Sequence, residues 1–236
     1  MKTTLAFIIL FLSFQYSGYT QEIKFFPIHH ASLVIEYGGL TIFVDPASDL
    51  EKFKTYPSPD IVLITHSHGD HLNPELLNEI RSENTNVVGN KTSIDQLGFG
   101  QYLMNGEKKM VKGVYIEAIA AYNTTEDRLI YHKKGDGNGY IISLGSERVY
   151  ISGDTEDTKE MRALKNIDYA FICMNLPYTM TPEQAASAVI EFKPKKVYPY
   201  HYRQGEGFSD IKLFNKLVTE GSSTEVVLAD WYNPKN

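Results

Sequence analysis

Between Thr65 and Leu72 the chain reads Thr-His-Ser-His-Gly-Asp-His-Leu, directly after the apolar run Ile61-Val62-Leu63-Ile64. No other segment constrains the fold as strongly, because four side chains that attract a cation stand just beyond a strand whose every residue is apolar. A strand of that kind has both faces covered, so the cluster falls in the loop past the C-terminal end of a buried strand. Packing does not require such a loop, whereas a metal-activated water does. Three of the chain's seven histidines lie here, which makes a merely solvated polar turn a poor explanation.

Within such a loop, residues two apart can point to the same side, so His66 and His68 can share one ion. Asp70 and His71 follow where the chain reverses and can reach a second ion, with Gly69 supplying backbone freedom. Imidazole and carboxylate suit zinc first, and manganese or iron as alternatives. One or two divalent ions are therefore the expected cofactor.

The surrounding pattern is strands followed by strands alternating with helices. Ile23–Phe26, Leu33–Tyr37 and Leu40–Val44 read as strands, with Gly38-Gly39 as a hairpin turn. Asn73-Pro74 starts a helix with cap and first-turn proline in the preferred order. Val87–Met110 is ambiguous, Val114–Ile119 is a strand, and a long polar loop runs from Tyr122 to Asn138. Strands at Tyr140–Leu144, Val149–Ser152, Tyr169–Met174, Lys196–Pro199 and Val226–Leu228 alternate with helices at Lys159–Leu164, after Thr181, and from Ser209 or Asp210 through Leu217. Thr181-Pro182-Glu183-Gln184 has the composition of a capping box. No repeat or linker divides residues 21–236, which read as one domain with sheets enclosed by helices.

Residues 1–20 read as a secretory signal: Lys2, the apolar core Leu5–Phe14, then Ser17, Gly18 and Thr20. That core is short for a membrane span, which needs about 20 apolar residues. Cleavage after Gly18 or Thr20 would place the mature chain in the periplasm or outside the cell, and the mass of the processed chain decides between the two sites. Losing Lys2 moves the net charge from −6 to −7. An acidic surface argues against nucleic acid as a partner, and nothing downstream resembles a membrane span. With one cysteine, Cys173, there is no intramolecular disulfide; its apolar neighbours make it a buried thiol. No oligomerisation signal stands out.

Thr65–His71 resembles the His-x-His-x-Asp-His motif of the metallo-beta-lactamase superfamily, closer to its lactonase-like and phospholipase-D-like branch than to antibiotic-hydrolysing members. His30-Ala31-Ser32 with Val44-Asp45-Pro46 is similar to the family's opening hairpin. Ile151-Ser152-Gly153-Asp154-Thr155 is similar to its Gly-Asp-Thr segment, and Tyr198-Pro199-Tyr200-His201-Tyr202 to its terminal histidine. The resemblance implies an α/β fold, an αββα sandwich of two mixed sheets with the metals at one edge. It implies His66 and His68 on the first ion, Asp70, His71 and His201 on the second, and Asp154 bridging.

One position departs from that pattern. The first ion's third histidine would follow Val114–Ile119, where the chain has Ala120-Ala121-Tyr122-Asn123. His132 could swing in from the loop beyond, Tyr122 or Asn123 could face the ions, or the site could be mononuclear at Asp70, His71, Asp154 and His201. Around the ligands, His30 is a candidate donor to the ligand shell, and Asp45 is placed to accept the free N–H of a ligand histidine.

A metal-bound hydroxide attacking a small ester, lactone or phosphoester is the expected chemistry, with Asp70 or Asp154 handling the proton. A beta-lactam is not the expected substrate. Tyr178, Met180, Tyr202 and Arg203 are candidates for the pocket wall, the arginine as partner for a carboxylate or phosphate. No Gly-x-Ser-x-Gly segment supports a serine nucleophile. The alternative is a catalytically weak, metal-dependent ligand-binding protein.

Overall fold

The computed structural model describes residues 21–232. The signal read at residues 1–20 and the last four residues lie outside the described residues. No described helix is long and apolar enough to cross a membrane.

The first sheet takes its strands in chain order: β1 (Lys24–His29), β2 (Ser32–Tyr37), β3 (Leu40–Val44), β4 (Ile61–Ile64), β5 (Asn86–Gly89) and β6 (Gln101–Tyr102). β1 to β3 pair antiparallel and β3 to β6 parallel. The second sheet is ordered β15-β12-β11-β10-β9-β8-β7. Its strands are β7 (Lys108–Val111), β8 (Val114–Ala121), β9 (Gly137–Leu144), β10 (Glu147–Ile151), β11 (Tyr169–Cys173), β12 (Lys196–Tyr200) and β15 (Glu225–Val226). Antiparallel pairing again gives way to parallel, here from β10 onward. β13 (Arg203–Gln204) and β14 (Gly207–Phe208) form a separate small hairpin.

Alternation along the strands builds the layers. Ile61 and Leu63 of β4 join Leu33, Ile42, Ile116, Ile142 and Val149 between the sheets. Val62 and Ile64 of the same strand face a second cluster. There they meet α1 (Leu50–Phe53), α2 (Pro74–Ile80) and α3 (Lys91–Leu97) through Phe53, Leu77 and Ile94. This is why β4 carries no polar residue. α4 (Lys159–Arg162), α5 (Pro182–Phe192) and α6 (Ile211–Gly221) belong to the second half, with Val189, Phe192, Phe214 and Val218 in the larger cluster. The result is the αββα sandwich expected.

Local signals held where their hydrogen bonds are local. Gly38 and Gly39 both have positive φ, 60° and 83°, as a two-residue hairpin turn requires. Thr181 and Gln184 close the capping box, and Asp210 rather than Ser209 caps α6. That helix runs past Leu217 to Gly221, and the last strand ends at Val226, leaving Leu228 exposed. Cys173 is fully buried, and burial pushes its thiol pKa up to about 12.

Two glycines allow close approach at the edge where the loops meet, Gly139 between neighbouring strands of one sheet and Gly153 between the two sheets. A Cβ on Gly139 would lie 2.8 Å from the Ser152 carbonyl oxygen. Gly153 has φ +60°, and a Cβ there would lie 2.7 Å from the Asn138 carbonyl oxygen and 3.0 Å from Thr65 Cβ. Left-handed backbone under a side chain costs roughly 1–3 kcal/mol before any clash. Gly153→Ala should therefore lower stability by at least that amount in denaturant unfolding; an unchanged midpoint and slope would contradict this account of the edge.

Candidate metal centre

β3, β4, β10, β11 and β12 all end at one edge of the sandwich, where open parallel sheets present their loops. Just past those ends stand Asp45, His66, Asp154, Asn175 and His201 respectively. Three residues of the centre hold left-handed backbone without being glycine: His30 (φ 56°), Asp45 (φ 46°) and His201 (φ 48°). Such conformations persist where surrounding contacts over-determine them.

Asp45 supplies those contacts on the β4 side. Its carboxylate is fully buried and accepts from Thr65 N and Thr65 Oγ1, both at 2.7 Å, and from His71 Nδ1 at 2.8 Å. A carboxylate oxygen accepts, so His71 donates to Asp45 from Nδ1 and its Nε2 is the atom that faces the centre. Thr65 Oγ1 also lies 3.1 Å from His66 Nδ1, and the Tyr140 hydroxyl donates to the Ile64 carbonyl at 2.6 Å. Gly69, expected to provide the turn's freedom, is not among the residues with positive φ, and a Cβ there would meet open space. The backbone requirement falls on Gly153 instead.

Three sets of candidate ligands result, two at the ends and a third, His66, His71 and Asp154, joining them. In the first, His66, His68 and His132 each offer a ring nitrogen within 4.8 Å of the others, and His66 Nε2 lies 3.0 Å from His68 Nδ1. In the second, His201 Nε2 lies 3.0 Å from His71 Nε2 and 3.6 Å from Asp70 Oδ2. Asp154 stands between the groups: Oδ1 is 3.1 Å from His201 Nε2, and Oδ2 is 3.3 Å from His132 Nε2.

These spacings fit a metal. Ligands about 2.0–2.1 Å from a tetrahedral zinc ion lie roughly 3.3 Å from one another. Facing imidazole nitrogens repel unless a proton or a cation lies between them. His132 Nε2 and Asp154 Oδ1 are buried with no hydrogen-bond partner, as groups aimed at an ion would be. The electrostatics agree. Burial disfavours a charged His71 ring, but Asp154 and Asp45 outweigh it and lift its pKa to about 10, so the acidic groups favour a positive charge at Nε2, a proton that a bound cation would displace. Burial also resists ionisation of Asp154, yet His201, His71 and His132 hold it well below the usual carboxylate range.

His30 lies where a donor to the ligand shell was expected, with Nε2 3.2 Å from Asp70 Oδ2 and Nδ1 3.1 Å from the Tyr232 hydroxyl. Burial, opposed by Asp70, takes its pKa down to about 4, so the ring is neutral near pH 7. His29 packs on the edge of Tyr232 instead.

No histidine follows β8 directly, and His132 comes from the loop beyond it to lie beside His66 and His68. Neither of the two residues that do follow β8 faces the groups. Tyr122 donates its hydroxyl to Glu160 at 2.9 Å. Asn123 is buried as a loop tie, donating Nδ2 to the carbonyls of Tyr178 and Arg128 at 2.7 and 2.9 Å, and the same Nδ2 lies 3.2 Å from His132 Nδ1, on the side of that ring away from the groups.

A cleft of about 420 Å³ opens over the centre, lined among others by His68, Asp70, Tyr131, His132, Asn175 and Tyr178. A smaller lobe of about 190 Å³ shares His68, Tyr131 and His132 and adds Ser67, Thr92 and Asp136. Of the expected pocket residues only Tyr178 is there. Met180 is fully buried in the core. Tyr202 packs against Tyr232, and Arg203 is exposed with its guanidinium 5.7 Å from the Tyr232 ring. The strand ends at Tyr200 and the chain turns at the left-handed His201, so neither residue continues toward the cleft. Tyr131 and Asn175 were not anticipated. Asn175 carried a usable signal, a polar residue directly after the apolar run Phe171–Met174, as His66 follows β4.

The sequence model of the beta-lactamase superfamily domain matches residues 22–201. A UPF0173 metal-dependent hydrolase of Thermococcus kodakarensis is 31% identical over 225 residues, covering 88% of this chain and 95% of that one. A crystal structure of a candidate metal-dependent hydrolase from Parabacteroides distasonis superposes with TM-score 0.83 at 40% identity, covering 90% of this chain and 94% of that one. The metallo-beta-lactamase fold protein YhfI of Bacillus subtilis, 17% identical with TM-score 0.71 over 86% of this chain and 89% of that one, shares the fold. The family model and these relatives agree: the chain belongs to the metallo-beta-lactamase superfamily and is an enzyme of its metal-dependent hydrolase class.

Proposed function

We propose that this enzyme holds two divalent ions, zinc ahead of manganese or iron, and hydrolyses a small uncharged ester or lactone. His66, His68 and His132 would hold one ion, and Asp70, His71 and His201 the other. The observation that carries the binuclear reading is Asp154, whose two oxygens each approach a different group. Bound ions of this kind supply Lewis acidity and bring the pKa of a bound water down to about 7.

The chain's own groups do the rest. Asp70 faces the cleft with Oδ2 held by His30, and is the candidate to accept the proton released on attack. Asn175 Nδ2 lies 3.3 Å from His201 Nε2, where it can donate to an oxygen gaining charge. Its backbone N–H and C=O are both tied to the Thr179 hydroxyl, at 2.8 and 3.1 Å. Asp45 and Thr65 act through the ligands they orient.

Size and charge of the cleft support the substrate class. About 420 Å³ suits a small molecule. No lysine or arginine is among the described residues lining either lobe, so beyond the ions themselves the cleft offers a charged phosphoester no cationic side chain. Tyr131 and Tyr178, edge to face at 4.9 Å, offer an aromatic wall to an apolar substituent. With residues 1–20 read as an export signal, the reaction would take place in the periplasm or outside the cell.

Protein loaded with zinc or manganese should turn over an uncharged aryl ester or lactone at least tenfold faster than an aryl phosphodiester. Asp154→Ala should abolish that turnover. Preference for the phosphodiester would overturn the substrate assignment. Asp45→Asn, which touches no ion, should weaken metal affinity by about 10–100-fold in a chelator competition titration; unaltered affinity would mean that His71 does not need this partner.

A further inference from the structure

Glu156 is a fully buried carboxylate that the chemistry above does not use. It lies two residues past Asp154 and does not line the cleft. Five donors converge on it. Oε2 accepts from Thr124 N and Thr125 N, both at 2.6 Å, and from Thr124 Oγ1 at 3.0 Å. Oε1 accepts from Thr125 Oγ1 and from the Arg128 guanidinium, both at 2.7 Å. Burial works against the charge, and these hydrogen bonds compensate it. Charge-assisted bonds in this number are strong and directional.

All five donors belong to Thr124–Arg128, the first arm of the loop that ends in His132. Arg128 extends the tie, donating also to the Thr179 carbonyl at 2.7 Å and to Gln184 Oε1, in the cap of α5, at 3.0 Å. Asn123 N donates to the His132 carbonyl at 2.8 Å and joins the two arms. The loop is thereby fixed to the segment that carries Asp154 and to the wall that carries Tyr178.

We propose that Glu156, through Arg128, is the positioning residue that places His132 in the first ligand group, and so makes good the histidine missing after β8. The proposal rests on the metal reading above only for what His132 does once placed. Glu156 acts through the loop and touches neither ion nor substrate. A neutral glutamine of the same shape keeps the volume but leaves the Arg128 charge unmatched and turns an amide toward the threonine donors.

The test compares Glu156→Gln, Arg128→Met and the double variant with the unmutated full chain, using two readouts. Hydrogen exchange followed by mass spectrometry should show the backbone amides of residues 122–132 exchanging at least tenfold faster in each variant. Residues of the β4 loop should exchange at an unchanged rate. Zinc titration should show one binding step weakened at least tenfold and the other within twofold, matching the isotherm of His132→Ala. The double variant should be no worse than either single one if the pair acts as a unit. Loop exchange at the unmutated rate, or faster exchange with both zinc steps unchanged, would overturn the proposal. If Glu156→Gln fails to fold, Arg128→Met carries the same comparison from the partly exposed side of the pair. Failure of the unmutated chain to bind zinc, manganese or iron would sink the metal reading instead, and the exchange rates would still decide whether Glu156 holds the loop.

Discussion

The hydrogen bonds that Asp45 makes to Thr65 and His71 hold the end of β3 to the loop after β4. A carboxylate with no exposed surface is tolerable only because all its partners are present. The same bonds fix which nitrogen of His71 is free to bind. Removing one member of such a buried charged set strands the others, at a cost of about 3–5 kcal/mol. The left-handed turn at Asp45 is part of that arrangement, since it directs the carboxylate back over β4 rather than out along the chain.

The second half of the molecule repeats the solution in other residues. β10, β11 and β12 run parallel and end beside β4, and Asp154, Asn175 and His201 follow them. Six of the seven histidines, all but His29, gather there, so electrostatic repulsion among rings and carboxylates must be balanced within one small volume. Acidic groups do this partly, as the raised His71 pKa indicates. Cations would complete it, and their binding should therefore also stabilise the fold.

Much of this was legible in the sequence because it depends on local rules. The apolar β4, the glycine pair at 38 and 39, the Thr181–Gln184 cap and the histidine spacing each announce themselves within a few residues. The same rules failed where contacts are long-range. Nothing near His132 signals that Glu156, 24 positions later, will hold its loop. Nearness to His201 suggested Tyr202 and Arg203 for the pocket, but the chain turns there and both lie beside Tyr232 instead. Met180 follows Tyr178 by two positions, yet it lies beneath α5 in the core, because the turn before that helix does not alternate as a strand would.

The central claim is that His132 completes a second ion position, so that the chain holds two ions rather than one. Elemental analysis of the untagged protein, equilibrated with zinc and freed of excess metal, tests it most directly. The account predicts two equivalents per chain. One equivalent, unchanged when the zinc concentration is raised before removal of the excess, would contradict it and leave a mononuclear site at Asp70, His71, Asp154 and His201.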